Sequence, residues 1–180
     1  MSLAHGILGL LKEKPMTGYD LKTQRFDKTI SHFWSADQAQ IYRTLDKLTE
    51  QGLLECELEI QEDAPNRKIY HITSAGEEEL KNWLSTPQPL PSAREAFQMQ
   101  IWFGSQLPKE TVLDLIEEQL QAYRKRLAYL QTLPIPPLGD PQSTRKNTFC
   151  RLTLERGLAI QKANIEWLEL CRKIVSEMEN

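Results

Sequence analysis

Cysteine is scarce in this chain of 180 residues, which holds only Cys56, Cys150 and Cys171. An odd number without metal-ligand spacing argues against a disulfide framework and fits a reduced, cytoplasmic setting. Histidine is as scarce: His5, His32 and His71 lie far apart, so no metal site is expected. No run of 18 apolar residues and no charged-then-apolar leader occurs, so neither a membrane span nor secretion is expected. An excess of positive charge is missing too. Lys and Arg total 22 against 25 Asp and Glu, a net charge of −3, and residues 1–86 hold 10 against 14. That is not the global footprint of a nucleic-acid binder, so any DNA binding must come from a local, salt-sensitive patch. There is no nucleophile elbow, phosphate loop or zinc-helix motif, so an enzyme is not expected, nor is a cofactor.

One well-bounded helix is present over residues 35–52. Ser35 with Gln38 reads as an N-terminal capping box, and Gly52 as the stop. Ile41, Leu45 and Leu48 fall on one face, which packs inward. Ala36, Ala39, Gln40, Arg43 and Lys47 share the opposite face, small at its start and basic at its end. Small residues allow close approach, amides read base edges, and Arg and Lys neutralise phosphate. Taken alone, the pattern better suits an ordinary amphipathic helix with a solvated face.

The neighbours decide between the two. A helix over Ser2–Lys12 carries Leu3, Ile7, Leu10 and Leu11, with Ser2 as its cap. Lys14-Pro15 ends it. Thr17 caps a second helix with Asp20 at its third position, and Leu21, Phe26 and Ile30 supply its core face. Phe33 and Trp34 read as core plugs beneath the third helix rather than as ligand-stacking groups. Beyond Gly52 the period drops to 2: Leu54, Cys56, Leu58 and Ile60 alternate with Glu55, Glu57 and Glu59. Residues 63–66 are turn chemistry, and a second strand returns over Lys68–Thr73 with Tyr70 and Ile72 on one face. Three helices followed by a hairpin is the order of a winged helix-turn-helix domain.

Ser74 with Glu77, with Thr73 able to share the capping, opens a further helix bearing Leu80, Trp83 and Leu84. The proline-rich residues 87–92 form a linker, giving domains over 1–86 and 93–180. The second half is helical by pattern. Ala93–Ser105 carries Phe97, Ile101 and Trp102. From Pro108 onward Ile116, Leu120, Tyr123, Leu127 and Leu130 make one heptad seam. After a proline-rich break, Phe149, Leu152, Ala159, Ala163, Trp167, Leu170 and Ile174 make another, interrupted by Arg156. Together they predict an antiparallel helical hairpin whose uncovered seams meet a second copy of the chain. Trp83, Trp102 and Trp167 are read mainly as core and interface residues, with an effector pocket as the other use.

Ile7-Leu8-Gly9-Leu10-Leu11, Pro15-Met16-Thr17-Gly18-Tyr19-Asp20-Leu21-Lys22, Phe33-Trp34, Gln40-Ile41-Tyr42-Arg43-Thr44-Leu45, Lys47-Leu48 and Gly52-Leu53 resemble the start of the PadR-like transcriptional regulators. Arg67-Lys68-Ile69-Tyr70-His71-Ile72-Thr73 with Gly76 resembles the end of that family's wing. The close match covers roughly residues 1–85, and the helical remainder is similar in architecture to the longer subfamily. The resemblance implies a mainly α chain: an N-terminal winged helix-turn-helix and a C-terminal helical dimerisation domain. It implies a cytoplasmic, prokaryotic, homodimeric regulator, most often a repressor, on a palindromic double-stranded DNA operator. A small aromatic effector is a further implied partner. It places DNA contacts at Thr17, Gly18 and Tyr19, at Gln38, Gln40, Tyr42 and Arg43, and at Arg67 and Lys68. Lys47 joins them from the helical wheel alone. Glu59, Glu62 and Asp63 put negative charge near the wing tip, which argues against deep minor-groove insertion. The alternative is a winged-helix protein-interaction module, which a neutral or negative surface on the third helix would favour.

Overall fold

The computed structural model of the chain describes residues 2–60, 66–91 and 94–179. The side chain of Ser2, the turn residues 63–65 with Glu62 and Asp63, and Ala93 lie outside the described residues. The chain divides into two compact units, residues 1–90 and 91–180.

The first unit opens with α1 (Ser2–Glu13), a short strand β1 (Met16–Thr17) and α2, which starts at Gly18–Asp20 and runs on as a wider π-helical coil over Leu21–Thr29. Then come α3 (Gln38–Glu50), β2 (Leu54–Glu59), β3 (Arg67–Ile72) and α4 (Ser74–Ser85). The sheet is antiparallel in the order β1-β3-β2, with Thr17 opposite Ile69 and Glu59 opposite Arg67. Its third strand, β1, is too short for periodicity to reveal.

The core joins Ile7, Leu8 and Leu11 of α1, Leu21 and Phe26 of α2, Ile41, Leu45 and Leu48 of α3, Leu54, Tyr70 and Leu80. The inward face expected for α3 is therefore the inward face found. Its cap is not. The N-cap is Asp37, whose carboxylate accepts from the Gln40 N–H at 2.7 Å while the Gln40 side chain accepts from the Asp37 N–H at 3.3 Å. Ser35 and Gln38 also fit a capping box, but starting the helix there would place Ala36 on the outer face, and Ala36 is 7% exposed and part of the core. At the far end Gly52 takes φ +70°, a left-handed turn that suits glycine.

Other local expectations change as well. Phe33 and Trp34 do not plug the core: they are 49% and 36% exposed, and Phe26 and Ala36 fill the space beneath α3. Of the two residues offered as caps for α4, Ser74 and Thr73, it is Thr73 that serves, accepting from the Gly76 N–H at 3.1 Å. Leu84 is exposed, while Trp83 lies half-buried with its ring stacked on His5 at 4.6 Å. On β2 only Leu54 is buried; Cys56 and Leu58 are exposed, because the strand outruns the core.

The second unit holds α5 (Ala96–Trp102), a 3-10 turn over Gly104–Gln106, α6 (Lys109–Gln131) and α7 (Arg145–Glu177). Gly104 interrupts the single helix expected over 93–105, and Trp102 is exposed rather than core. α6 and α7 pack together as a hairpin through two clusters. Val112, Ile116 and Leu120 meet Leu168, and Leu130 meets Leu154 and Leu158. Arg124–Glu169 at 2.8 Å and Arg172–Glu117 at 3.2 Å cross the same seam.

This corrects half of the expected dimer surface. Ile116, Leu120 and Leu130 are buried inside the chain, with Tyr123 and Leu127 packed beside them. Their stripe is covered by Leu154, Leu158 and Leu168, an apolar face of α7 distinct from the one assigned to dimerisation. The assigned face stays outside: Phe149, Leu152, Leu170 and Ile174 are exposed, as are Arg156, Ala159 and Ala163. Trp167 is half-buried edge-on to Phe97, at 6.0 Å between ring centroids.

Candidate nucleic-acid interface

Three elements of the first unit meet at one hollow of about 840 Å³: the start of α2, the middle of α3 and the wing strands. Thr17, Gly18, Tyr19, Tyr42, Arg67 and Lys68 line it, six of the ten expected contacts, joined by Leu58 and Asn66.

Each arrives there for a local reason. The Thr17 hydroxyl caps α2, accepting from the Asp20 N–H at 3.0 Å and donating to the Asp20 carboxylate at 2.8 Å. With that hydroxyl engaged and the residue 8% exposed, its contribution is to place the turn. Gly18 is buried because the Tyr42 ring lies against it: a Cβ there would stand 2.8 Å from Tyr42 Cε1. Tyr19, the next residue, is 62% exposed and is the side chain this turn offers to a partner.

On α3 the outward residues Gln38, Gln40, Arg43 and Lys47 are all exposed. Arg43 turns its Nε back on the Ala39 carbonyl at 3.3 Å, leaving the rest of the guanidinium outward. Neither Arg43 nor Lys47 has an ion-pair partner among the described residues. Gln40 and Arg43 also line a second hollow of about 440 Å³ with Leu3, Trp34, Ser35 and Thr44. Gln38 and Lys47 line neither.

The two wing cations differ. Lys68 has no ion-pair partner among the described residues. Arg67 is engaged by two carboxylates, Asp20 at 3.1 Å and Glu59 at 3.9 Å.

Leu58 belongs to the apolar set that alternates along β2. Opposite Lys68 it sits on the same face as Leu54 and Cys56, but beyond the core, so that face ends in the hollow. The Tyr70 phenol, beneath α3, is pushed up to about 12 by burial, with Cys56, Asp46 and Tyr42 adding to the shift. It therefore keeps its proton throughout the neutral range. The arrangement combines an exposed helix face carrying amides and cations, a flanking turn with an exposed Tyr, and a wing whose base carries Lys68.

The family description "Transcriptional regulator PadR-like family" matches residues 7–82, and "Virulence activator alpha C-term" matches residues 93–176. The negative transcriptional regulator PadR of Bacillus subtilis (strain 168) is 34% identical over 171 residues, covering 93% of each chain. The chain belongs to the PadR-like family of transcriptional regulators.

Two crystal structures of that relative resemble the chain along nearly its whole length. Bacillus subtilis PadR in complex with operator DNA superimposes with a TM-score of 0.83 at 31% identity, covering 97% of this chain and 99% of that one. Bacillus subtilis PadR in complex with p-coumaric acid gives a TM-score of 0.78 at 31% identity, covering 98% and 100%. No helix among the described residues of this PadR-like chain is long and apolar enough to cross a membrane.

Proposed function

We propose that this chain is a homodimeric, sequence-specific DNA-binding repressor whose operator is an inverted repeat. The observation that carries this reading is the outward face of α3, where Gln38, Gln40, Arg43 and Lys47 are exposed together beside the hollow that Tyr19, Tyr42 and Lys68 line. That face suits a major groove, with the α2 turn and the wing base against the backbone on either side. Operator binding by a relative 31% identical along nearly the whole chain supports the reading. The exposed apolar stripe of α7 supports the dimer, because a two-fold partner would present the same stripe to it. Binding of p-coumaric acid by the same relative supports a small aromatic acid as the effector that releases DNA. Such a regulator works in the cytoplasm and catalyses nothing.

The test is fluorescence anisotropy with duplexes from the DNA upstream of its own gene. Tight binding to a palindrome with half-sites about 10 bp apart, or a multiple of that, is expected. Affinity should fall steeply with salt, because the attraction is local and phosphate-directed. Weak binding equal on all sequences would sink the reading.

A further inference from the structure

Asp20 is a misplaced charge for a DNA-facing edge. It stands at the third position of α2, in the turn whose Thr17, Gly18 and Tyr19 line the hollow beside α3. A carboxylate there repels the phosphates that the turn should meet.

The structure also holds its answer. Asp20 Oδ1 accepts from Gln24 Nε2 at 2.8 Å, and Oδ2 accepts from Thr17 Oγ1 at 2.8 Å and from Arg67 Nη2 at 3.1 Å. Two of these donors are neutral; only Arg67 brings a charge. Thr17 and Arg67 line both the DNA-side hollow and a third one, of about 440 Å³ and separate from that beside Trp34, which Asp20 and Gln24 also line. The Arg67 guanidinium also reaches Glu59, its cross-strand neighbour, at 3.9 Å. Its charge is thus already matched before any phosphate arrives, whereas the charge of Lys68 is not.

From this geometry we infer that Arg67 serves DNA binding as the counter-charge of Asp20, not as a phosphate contact. The inference rests on the operator-binding reading above and adds to it a positioning pair, Asp20–Arg67, between α2 and the wing. In this arrangement Asp20 is kept for its two local tasks, fixing the Thr17 cap and anchoring the wing. Arg67 removes the electrostatic penalty that those tasks would otherwise carry, and Lys68 is the wing base's cation toward the backbone.

The experiment is a double-mutant cycle on DNA affinity with Arg67→Ala, Asp20→Asn and the double variant. Each protein is titrated with a duplex from upstream of its own gene at several salt concentrations, and its melting temperature is recorded. Asn at position 20 keeps an oxygen for the Thr17 hydroxyl, and Gln24 can turn its amide to accept instead of donate. Arg67→Ala should weaken binding by roughly three- to tenfold, the size of one screened unit-charge interaction at a few ångströms, with the salt slope unchanged. Asp20→Asn should change binding by no more than about twofold, because Arg67 then keeps Glu59 as its carboxylate partner, so that Arg67→Ala costs far less in that background than in wild type. The double variant should return to within about twofold of wild type, since the two effects are coupled.

Equal losses from Arg67→Ala in both backgrounds, with the salt slope reduced by about 0.9, would make Arg67 a direct phosphate contact and overturn the inference. Losses that track melting temperature and are not recovered in the double variant would reduce the pair to a structural strut and overturn it too. A wild type that binds no upstream duplex would overturn the operator reading itself, and this inference with it.

Discussion

Arg43 is the cation of α3 with the best claim to DNA. It is exposed, and its one hydrogen bond among the described residues is with the Ala39 carbonyl at 3.3 Å. Arg43→Ala should cost operator affinity about 1–3 kcal/mol. Stability should stay within about 0.5 kcal/mol of wild type, as for most surface substitutions. Anisotropy and thermal melts on the same preparation check both; unchanged affinity would remove Arg43 from the interface. Gly18 makes the opposite kind of prediction. Its missing Cβ leaves room for Tyr42 Cε1, Tyr42 Cζ and Leu45 Cδ1, which would stand 2.8, 2.9 and 3.1 Å from it. Gly18→Ala should destabilise the first unit by roughly 1–3 kcal/mol through overpacking, measurable in urea melts. It should also displace Tyr42 from the hollow. The need for a small residue at position 18 was not legible in the sequence, because the neighbour that demands it is on another helix. The α3 cap failed for a different reason. Ser35–Gln38 and Asp37–Gln40 are two equally good boxes, and only the burial of Ala36 chooses between them.

At the scale of elements, periodicity succeeded where an element is long and half-buried. The inward stripe of α3 could be read from spacing alone, and Ile41 and Leu45 are 0% exposed. Leu45→Ala should therefore cost about 2–5 kcal/mol, since a buried leucine leaves a cavity that helices on both sides cannot close. Chemical denaturation gives the number, and an unaltered midpoint would mean the helix is rotated from the orientation described. Short or irregular elements escaped. Two residues of β1 carry no period, and the π-helical run Leu21–Thr29 has the composition of an ordinary helix. The alternation on β2 was real, yet alternation reports which side chains share a face, not how far the core extends beneath them. Leu58 and Ile60 lie past its edge, at 55% and 77% exposed.

At the scale of the whole molecule, the apolar stripes of α6 and α7 were both evident in the sequence, but their partners were not. A heptad seam looks the same whether a neighbouring helix of the same chain covers it or a second copy does. α7 carries two stripes. Leu154, Leu158 and Leu168 are buried against α6, while Phe149, Leu152, Leu170 and Ile174 remain exposed by 47% or more. Uncovered aliphatic and aromatic surface of that kind is the face that the dimer proposed above would bury. Two substitutions a short distance apart on α7 should therefore part company. Leu168→Ala should lower the stability of the hairpin by roughly 2–5 kcal/mol. Leu170→Glu should leave the helical content of each chain intact yet convert a dimer to monomers in sedimentation equilibrium, because a buried unpaired carboxylate at an interface is costly only when the interface forms. If the dimer holds the two α3 helices one turn of DNA apart, the same variant loses the gain of a full palindrome over a single half-site. A Leu170→Glu protein that stays dimeric and still prefers the palindrome would place the dimer contact elsewhere on the second unit.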